Sequence, residues 1–221
     1  MQRIETSRRR MIVGISGASG VIYGIRLLQL LRDLSIESHV VMSRSAQVTL
    51  AHETPFAVSD VRDLADEWYS IGDIGAAISS GSFAVMGMVV APCSVKTLSE
   101  IATGVTGNLL SRSADVVLKE RKRLVLMLRE TPLHLGHLRS MVAVTEAGAI
   151  VYPPVPAFYA KPESMEAMID HTLGRVLDLF GLDTGTVHRW KQLPAATATS
   201  GVSADPGRCE MSRSPSDPSL D

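Results

Sequence analysis

The chain has 221 residues, of which 45% are hydrophobic and 20% are charged, and its formal net charge at pH 7 is -1. This composition is typical of a globular protein with one sizeable core, and the absence of an overall basic field argues against nucleic acid as a partner. The two cysteines, Cys93 and Cys209, are too few for a disulfide framework and fit a reducing compartment. No run approaches the ~20 apolar residues of a membrane span, so we expect a cytoplasmic protein that does not associate with membranes.

Short apolar runs alternate with segments of helical period along the chain. The predicted strands are residues 11–16, 38–43, 86–93, 124–129 and 149–153. Helices are predicted at residues 21–34, 95–102, about 108–122, and between Pro162 and Gly181. The last helix has the clearest pattern, because apolar residues recur along one face from Met165 to Phe180. This alternation predicts a parallel sheet with crossover helices.

The two ends of the chain differ from its middle in composition. Residues 194–221 are rich in Ser, Pro, Ala and Thr and poor in large apolar residues, so they cannot bury enough surface to become ordered. We therefore predict a flexible N-terminus over residues 1–10, one folded domain over residues 11–193 and a disordered tail over residues 194–221.

A glycine turn joins the first predicted strand to the first helix. Gly17 and Gly20 bound this turn, and the hydroxyls of Ser16 and Ser19 can add hydrogen-bond donors. The free N–H groups and the dipole of a helix N-terminus favour an anion such as phosphate. A turn that only connects a strand to a helix is the alternative, since the spacing departs from G-x-G-x-x-G.

The ends of the second and third strands narrow the choice of ligand. A dinucleotide site usually has an acidic residue ~20 residues after its glycine turn, but here the second strand runs into Ser43 and Arg44. A mononucleotide is therefore favoured over a dinucleotide. Ser94, Lys96 and Thr97 follow the third strand and predict a second polar rim at the same edge of the sheet.

Several motifs occur in an order that resembles the UbiX-type flavin prenyltransferases over residues 11–190. They are GISGASG (14–20), SGS (80–82), PCSVKT (92–97), NLLSRSADVVLKERKRLVL (108–126), RETP (129–132) and PVPAFY (154–159). The resemblance implies a flavodoxin-like (Rossmann-like) three-layer αβα sandwich with a mostly parallel sheet. It also implies transfer of a dimethylallyl group from dimethylallyl phosphate to N5 and C6 of reduced FMN, in a homo-oligomer that is typically a dodecamer. The prenylated FMN would serve a UbiD-type decarboxylase.

The resemblance also implies roles for individual residues, and it implies no metal. The FMN-binding positions are Gly17, Ala18, Ser19, Ser43, Ser94, Val95, Lys96, Thr97 and Arg129, with Ser80, Gly81 and Ser82 near the isoalloxazine. The prenyl-phosphate positions are Arg112, Lys119, Arg129, Glu130, Tyr159, Arg175 and Trp190. The catalytic positions are Glu130, Glu53 and Ser19. Glu130 would either stay charged or pass a proton to the departing phosphate.

Two other functions are compatible with an FMN-binding fold. One is a non-catalytic FMN carrier or accessory subunit, although FMN storage needs no second phosphate cage. The other is an FMN-dependent cysteine decarboxylase, which would need its own catalytic histidine. His134 and His137 stand three residues apart without further ligands nearby, so we predict no metal there. Cys93 is predicted to be a buried small residue without an activated thiolate.

Overall fold

The structure is a computed structural model that describes residues 9–190. Its strands are β1 (Arg10–Ile15), β2 (Glu37–Met42), β3 (Glu67–Tyr69), β4 (Gly87–Cys93), β5 (Arg123–Leu128) and β6 (Ile150–Val151). Its helices are α1 (Val21–Asp33), α2 (Arg44–Glu53), α3 (Val58–Leu64), α4 (Val95–Thr103), α5 (Leu109–Lys119), α6 (Leu135–Glu146) and α7 (Met165–Asp178). Among these helices, none is long and apolar enough to cross a membrane.

The strands form one parallel sheet in the order β3-β2-β1-β4-β5-β6. Without the short edge strand β3, this is the order of a flavodoxin-like sheet. The chain leaves β1 in one direction to build β2 and β3, and then crosses back to build β4, β5 and β6. The crevice beyond the carboxyl ends of β1 and β4 is therefore the topological switch point, where open α/β sheets bind their ligands.

Both faces of the sheet are buried, which makes the molecule a three-layer sandwich. In β1, Met11 and Val13 pack into one core with α1, α2, α3 and α7, while Ile12 packs into the other with α4, α5 and α6. Val89 and Met88 in β4 alternate in the same way. Burial on both sides explains why the strands read as continuous apolar runs rather than as an alternation of apolar and polar residues. The predicted fold class is confirmed.

The structure contains elements that the sequence patterns did not predict, namely β3, α2 and α3. Only Ala46 and Leu50 are buried in α2, and only Val61 in α3, so neither helix carries a strong apolar stripe. The helix predicted at about 108–122 was too long, because α5 ends at Lys119 and Arg121 adopts φ 57. The predicted tail from residue 194 lies outside the described residues.

Candidate active site

A cavity of about 750 Å³ opens at the switch point, beyond the carboxyl ends of β1 and β4. Its size lies in the range of about 300–1,000 Å³ that is usual for small-molecule sites. Every position predicted to bind FMN lines this cavity, and so does Glu130. The lining residues are Gly17, Ala18, Ser19, Ser43, Arg44, Ser45, Ile71, Ser94, Val95, Lys96, Thr97, Glu100, Gly107, Asn108, Leu110, Arg129, Glu130 and Thr131.

The first residues of three helices, α2, α4 and α5, line the cavity. Ser43 caps α2 by accepting from the Ala46 N–H at 3.1 Å, and Ser94 caps α4 by accepting from the Thr97 N–H at 3.3 Å. The Asn108 side chain caps α5 in the same manner. These caps are uncharged, so they leave the positive ends of the helix dipoles without a neutralising carboxylate. The arrangement favours an anion in the cavity.

The N-terminus of α1 differs, because a carboxylate already occupies it. Glu53, at the end of α2, accepts hydrogen bonds from the N–H groups of Gly20 at 2.7 Å and Val21 at 3.2 Å. Partial burial would raise the pKa of the Glu53 carboxyl, but the Ser19 side chain, these two N–H groups and Arg129 together lower it. The glycine turn thus contributes to the cavity through Gly17, Ala18 and Ser19. The expectation that the N–H groups at the start of α1 receive a phosphate needs correction, since Glu53 takes two of them.

The glycine turn is packed so tightly that its first residue must lack a side chain. A Cβ at Gly17 would overlap the side chain of Ser45. Gly20 adopts φ 95, and a Cβ there would lie 3.1 Å from the Arg129 Cδ. The stem of Arg129 therefore rests on the turn, which holds the guanidinium close to the Glu53 carboxylate.

Glu100 is a carboxylate in the cavity wall that the sequence reasoning missed. Its two oxygens accept from the Lys96 Nζ at 2.7 Å and the Asn108 Nδ2 at 3.0 Å. The contact with Asn108 joins the cap of α5 to α4, so Glu100 fixes two groups that line the cavity. The i, i+4 spacing of Lys96 and Glu100 was the available signal for this pair.

Three of the remaining substrate positions, Tyr159, Arg175 and Trp190, form a second cluster on α7 and the segments beside it. The ring of Tyr159 stands edge-on to those of Trp190 and His171, with centroids 5.5 and 5.8 Å apart. Arg175 donates to the Asp178 carboxylate at 2.6 Å.

Tyr152 and Tyr23 are partly buried side chains that pack against the same core. Burial is the main reason that the pKa of Tyr152 is raised. The positive charge of Arg175 lowers this pKa, and the hydroxyl of Tyr23 raises it. Tyr23 in turn lies within the field of Arg129.

Arg112 and Lys119 lie neither in the cavity lining nor in the second cluster. Arg112 pairs with Asp115 at 2.8 Å on the polar face of α5. Lys119 ends α5, pairs with Glu120 and lies beside Gly81. Leu110 lines the cavity near the start of that helix, and nine residues of helix carry Lys119 about 13 Å further along the axis. Within one chain, Lys119 and the SGS segment (80–82) therefore lie away from the cavity.

Cys93, His134 and His137 carry side chains that could bind a metal, but their surroundings indicate structural roles. Cys93 is fully buried, which confirms that part of the prediction, and burial raises the pKa of its thiol to about 12. The rings of His134 and His137 lie at the start of α6 with their centroids 3.6 Å apart and their planes tilted by 31°. Over residues 9–190, no group of three metal-ligating side chains has the geometry of a metal site.

The cavity, its helix N-termini and the flavodoxin-like sheet define a flavoprotein, and residues 2–177 match the family model named Flavoprotein. Flavin prenyltransferase UbiX of Escherichia coli K12 is 58% identical over 175 residues, which cover 79% of this chain and 93% of the relative. The chain belongs to the UbiX family of flavin prenyltransferases.

Two solved structures of the family match the fold closely. The crystal structure of AnUbiX (PadA1) in complex with FMN and dimethylallyl pyrophosphate is 53% identical, with a TM-score of 0.83, and the match covers 85% of this chain and 100% of that one. A dodecameric FMN-dependent UbiX-like decarboxylase from Escherichia coli O157:H7 is 46% identical, with a TM-score of 0.80, over 83% of this chain and 100% of that one.

Proposed function

We propose that this protein is a flavin prenyltransferase that transfers a dimethylallyl group from dimethylallyl phosphate to N5 and C6 of reduced FMN. The observation that carries the proposal is the cavity itself, because the residues that match the family's FMN positions all line it. The identity to UbiX of Escherichia coli supports the same activity. A carrier or a cysteine decarboxylase is not favoured, because the curated relatives at 52–58% identity carry flavin prenyltransferase names.

The donor set of the cavity fits FMN. Ser43, Ser94 and Thr97 present hydroxyls beside helix N-termini, and Lys96 and Arg129 add positive charge for a dianionic phosphate. Ile71 and Leu110 supply apolar surface for a planar ring. When bound, reduced FMN supplies the electron-rich ring that accepts the allyl group.

The chain's own charged groups suit the departure of a phosphate. Arg129 stands at the cavity wall, and its positive charge stabilises negative charge that develops on the leaving group. Glu130 follows it, also lines the cavity, and accepts from the Thr131 N–H at 3.1 Å. This hydrogen bond orients the Glu130 carboxyl, which would pass its proton to the departing phosphate and regain one from C6 as the ring closes.

We further propose that the active protein is a homo-oligomer, on the model of the dodecameric relative. Leu135, Leu138 and Val142 form an apolar stripe along α6, and they are 60%, 45% and 56% exposed. A second copy of the chain is the proposed occupant of this stripe. Subunits in a closed assembly can also supply Arg112 and Lys119 to a neighbour's cavity. Both residues would then reach a cavity, although they lie away from the cavity of their own chain.

The recipient of the product and the compartment are parts of the same proposal. A UbiD-type decarboxylase would receive prenylated FMN, since a modified cofactor needs an enzyme that uses it. The low cysteine count supports the cytoplasm as the compartment.

Mass spectrometry of the flavin tests the proposal. Purified protein is incubated anaerobically with reduced FMN and dimethylallyl phosphate, and in parallel with the diphosphate. A flavin heavier by one C5 prenyl unit is the expected result with the monophosphate. Bound but unmodified FMN with both donors would overturn the transferase assignment and leave the carrier as the better function.

A further inference from the structure

One carboxylate on α7 contacts two arginines, and one of them is Arg175, which is assigned to the prenyl phosphate. Asp178 accepts from Arg175 at 2.6 Å and from both terminal nitrogens of Arg189 at 3.0 Å. The Asp178 side chain is only 15% exposed, while the two arginines are 44% and 41% exposed. Two guanidinium groups thus converge on one largely buried acid, and the pair with Arg189 is bidentate.

Arg189 belongs to a strap, residues 183–190, that lies across α7. The Thr186 Oγ1 donates to the Asp170 carbonyl at 3.3 Å, and the His171 ring pairs with the His188 carbonyl at 3.3 Å. Gly174 makes room for the strap, because a Cβ there would lie 2.6 Å from Val187. Trp190 follows Arg189 directly and places its ring on Tyr159.

We infer that Asp178 is a positioning residue of the prenyl-phosphate site, an inference that rests on the proposed function. It acts on Arg175 directly, because one guanidinium nitrogen bonded to Asp178 fixes the orientation of the group and leaves other N–H donors for a phosphate. It acts on Trp190 through Arg189, which ties the end of the strap to α7. Because both groups are held before the substrate arrives, less conformational entropy is lost when it binds.

The inference predicts an effect opposite in sign to simple electrostatics. A negative charge beside a phosphate site repels the phosphate. If Asp178 were only a bystander, neutralising its carboxylate would therefore lower KM for the prenyl phosphate. Asp178→Asn is instead expected to raise that KM by about tenfold, because two arginines and the strap lose their common anchor. The FMN dissociation constant should stay within about twofold, since Asp178 does not line the cavity.

Asp170→Asn is the matched control. Asp170 also lies on α7 and also takes a two-pronged contact from an arginine, Arg26, at 2.6 and 2.9 Å. That pair joins α7 to α1, away from Arg175. Its loss should lower Tm while KM for the prenyl phosphate stays near the wild-type value. An equal rise of KM in Asp170→Asn and Asp178→Asn would assign the effect to helix stability and overturn the inference.

A second readout follows the strap without any turnover. The chain has two tryptophans, so Trp68→Phe leaves Trp190 as the only one. In apo protein of this background, Asp178→Asn should lower the fluorescence anisotropy of Trp190. If the wild-type protein fails to prenylate FMN, the proposed function fails, while the anisotropy of Trp190 still reports on the strap.

Arg189→Gln keeps the test decisive if Asp178→Asn does not fold. This variant leaves the Asp178–Arg175 pair intact and removes only the tie to the strap. It should lower the anisotropy of Trp190 and raise KM for the prenyl phosphate. Unchanged anisotropy and unchanged KM in the variants that fold would overturn the inference.

Discussion

Glu53 accepts a hydrogen bond from the backbone N–H of Gly20 at 2.7 Å, although 33 residues separate the two in sequence. This contact places a negative charge on the N-terminus of α1 and beside Arg129. It occupies two N–H groups of a helix end that could have received a phosphate. The anion is left to the N-termini of α2, α4 and α5, whose caps carry no charge.

Neutralising Glu53 should destabilise the protein in a pH-dependent way. Because the folded state lowers the pKa of Glu53 below its ordinary value of 4.5, the charge stabilises the fold above that pH and is lost as the pH falls through the lowered pKa. Glu53→Gln should therefore cost roughly 0.3–1 kcal/mol at pH 7. The difference in Tm between wild type and variant should shrink towards pH 3, as measured by thermal unfolding of the apo protein. A difference that stays constant with pH would contradict the helix-end role.

Glu130→Gln should separate flavin binding from chemistry. The amide keeps the size of the side chain and an oxygen that accepts from the Thr131 N–H, so the FMN dissociation constant should change by less than about threefold. Prenylation should fall by at least about a hundredfold, because the proton-transfer group is gone. Single-turnover assays of prenylated FMN measure this loss. Wild-type turnover in the variant would remove Glu130 from the mechanism.

Gly17→Ala tests the tight packing of the glycine turn. The new Cβ would overlap Ser45, so the turn and the start of α2 must move apart, at a cost of about 1–3 kcal/mol in unfolding free energy. FMN affinity, measured by flavin fluorescence quenching, should fall with it. Gly72→Ala is the control, since no atom lies within 4 Å of a Cβ at Gly72. Equal stability of the two variants would show that the turn can relax.

Mixed oligomers test whether Lys119 acts on a neighbour's cavity. Lys119→Ala and Glu130→Gln subunits, each inactive alone, are co-expressed with different tags and purified through both. If the two residues come from different subunits, random mixing restores about a quarter of the sites. Tandem-purified oligomers of two differently tagged Glu130→Gln chains are the control. No recovery in the mixed sample would place Lys119 and Glu130 in the same subunit's site, or Lys119 outside it.

Thiol labelling tests the burial of Cys93. Cys209→Ser removes the other cysteine of the chain. At pH 8 the Cys93 thiol, with its pKa raised to about 12, is almost wholly protonated and shielded by the core. A thiol reagent should therefore label the folded variant very slowly and label one equivalent in denaturant. Rapid labelling of the folded protein would show that β4 opens at its carboxyl end.

Some of these features could be predicted from local sequence alone. The apolar runs of β1 and β4 predict buried parallel strands, and the stripe of α7 predicts its helix, because burial on a given face imposes a period on neighbouring residues. The same order of elements places Gly17 and Ser94 at one edge of the sheet. For α6, the stripe of Leu135, Leu138 and Val142 is exposed in one chain, so its packing cannot be deduced from that chain's core.

Only the tertiary structure shows which distant residues form hydrogen bonds with each other. Glu53 with Gly20 and Asp178 with Arg189 join residues 33 and 11 positions apart, and no local period selects such partners. The distance of Lys119 from the cavity follows from the direction of α5, which points its N-terminus at the site. The sequence by itself determined the sandwich and its ligand edge, and the family resemblance added many of the residues that line the cavity, but not Glu100. The charges that face each other depend on how the helices pack, because the partners come from different elements of the chain.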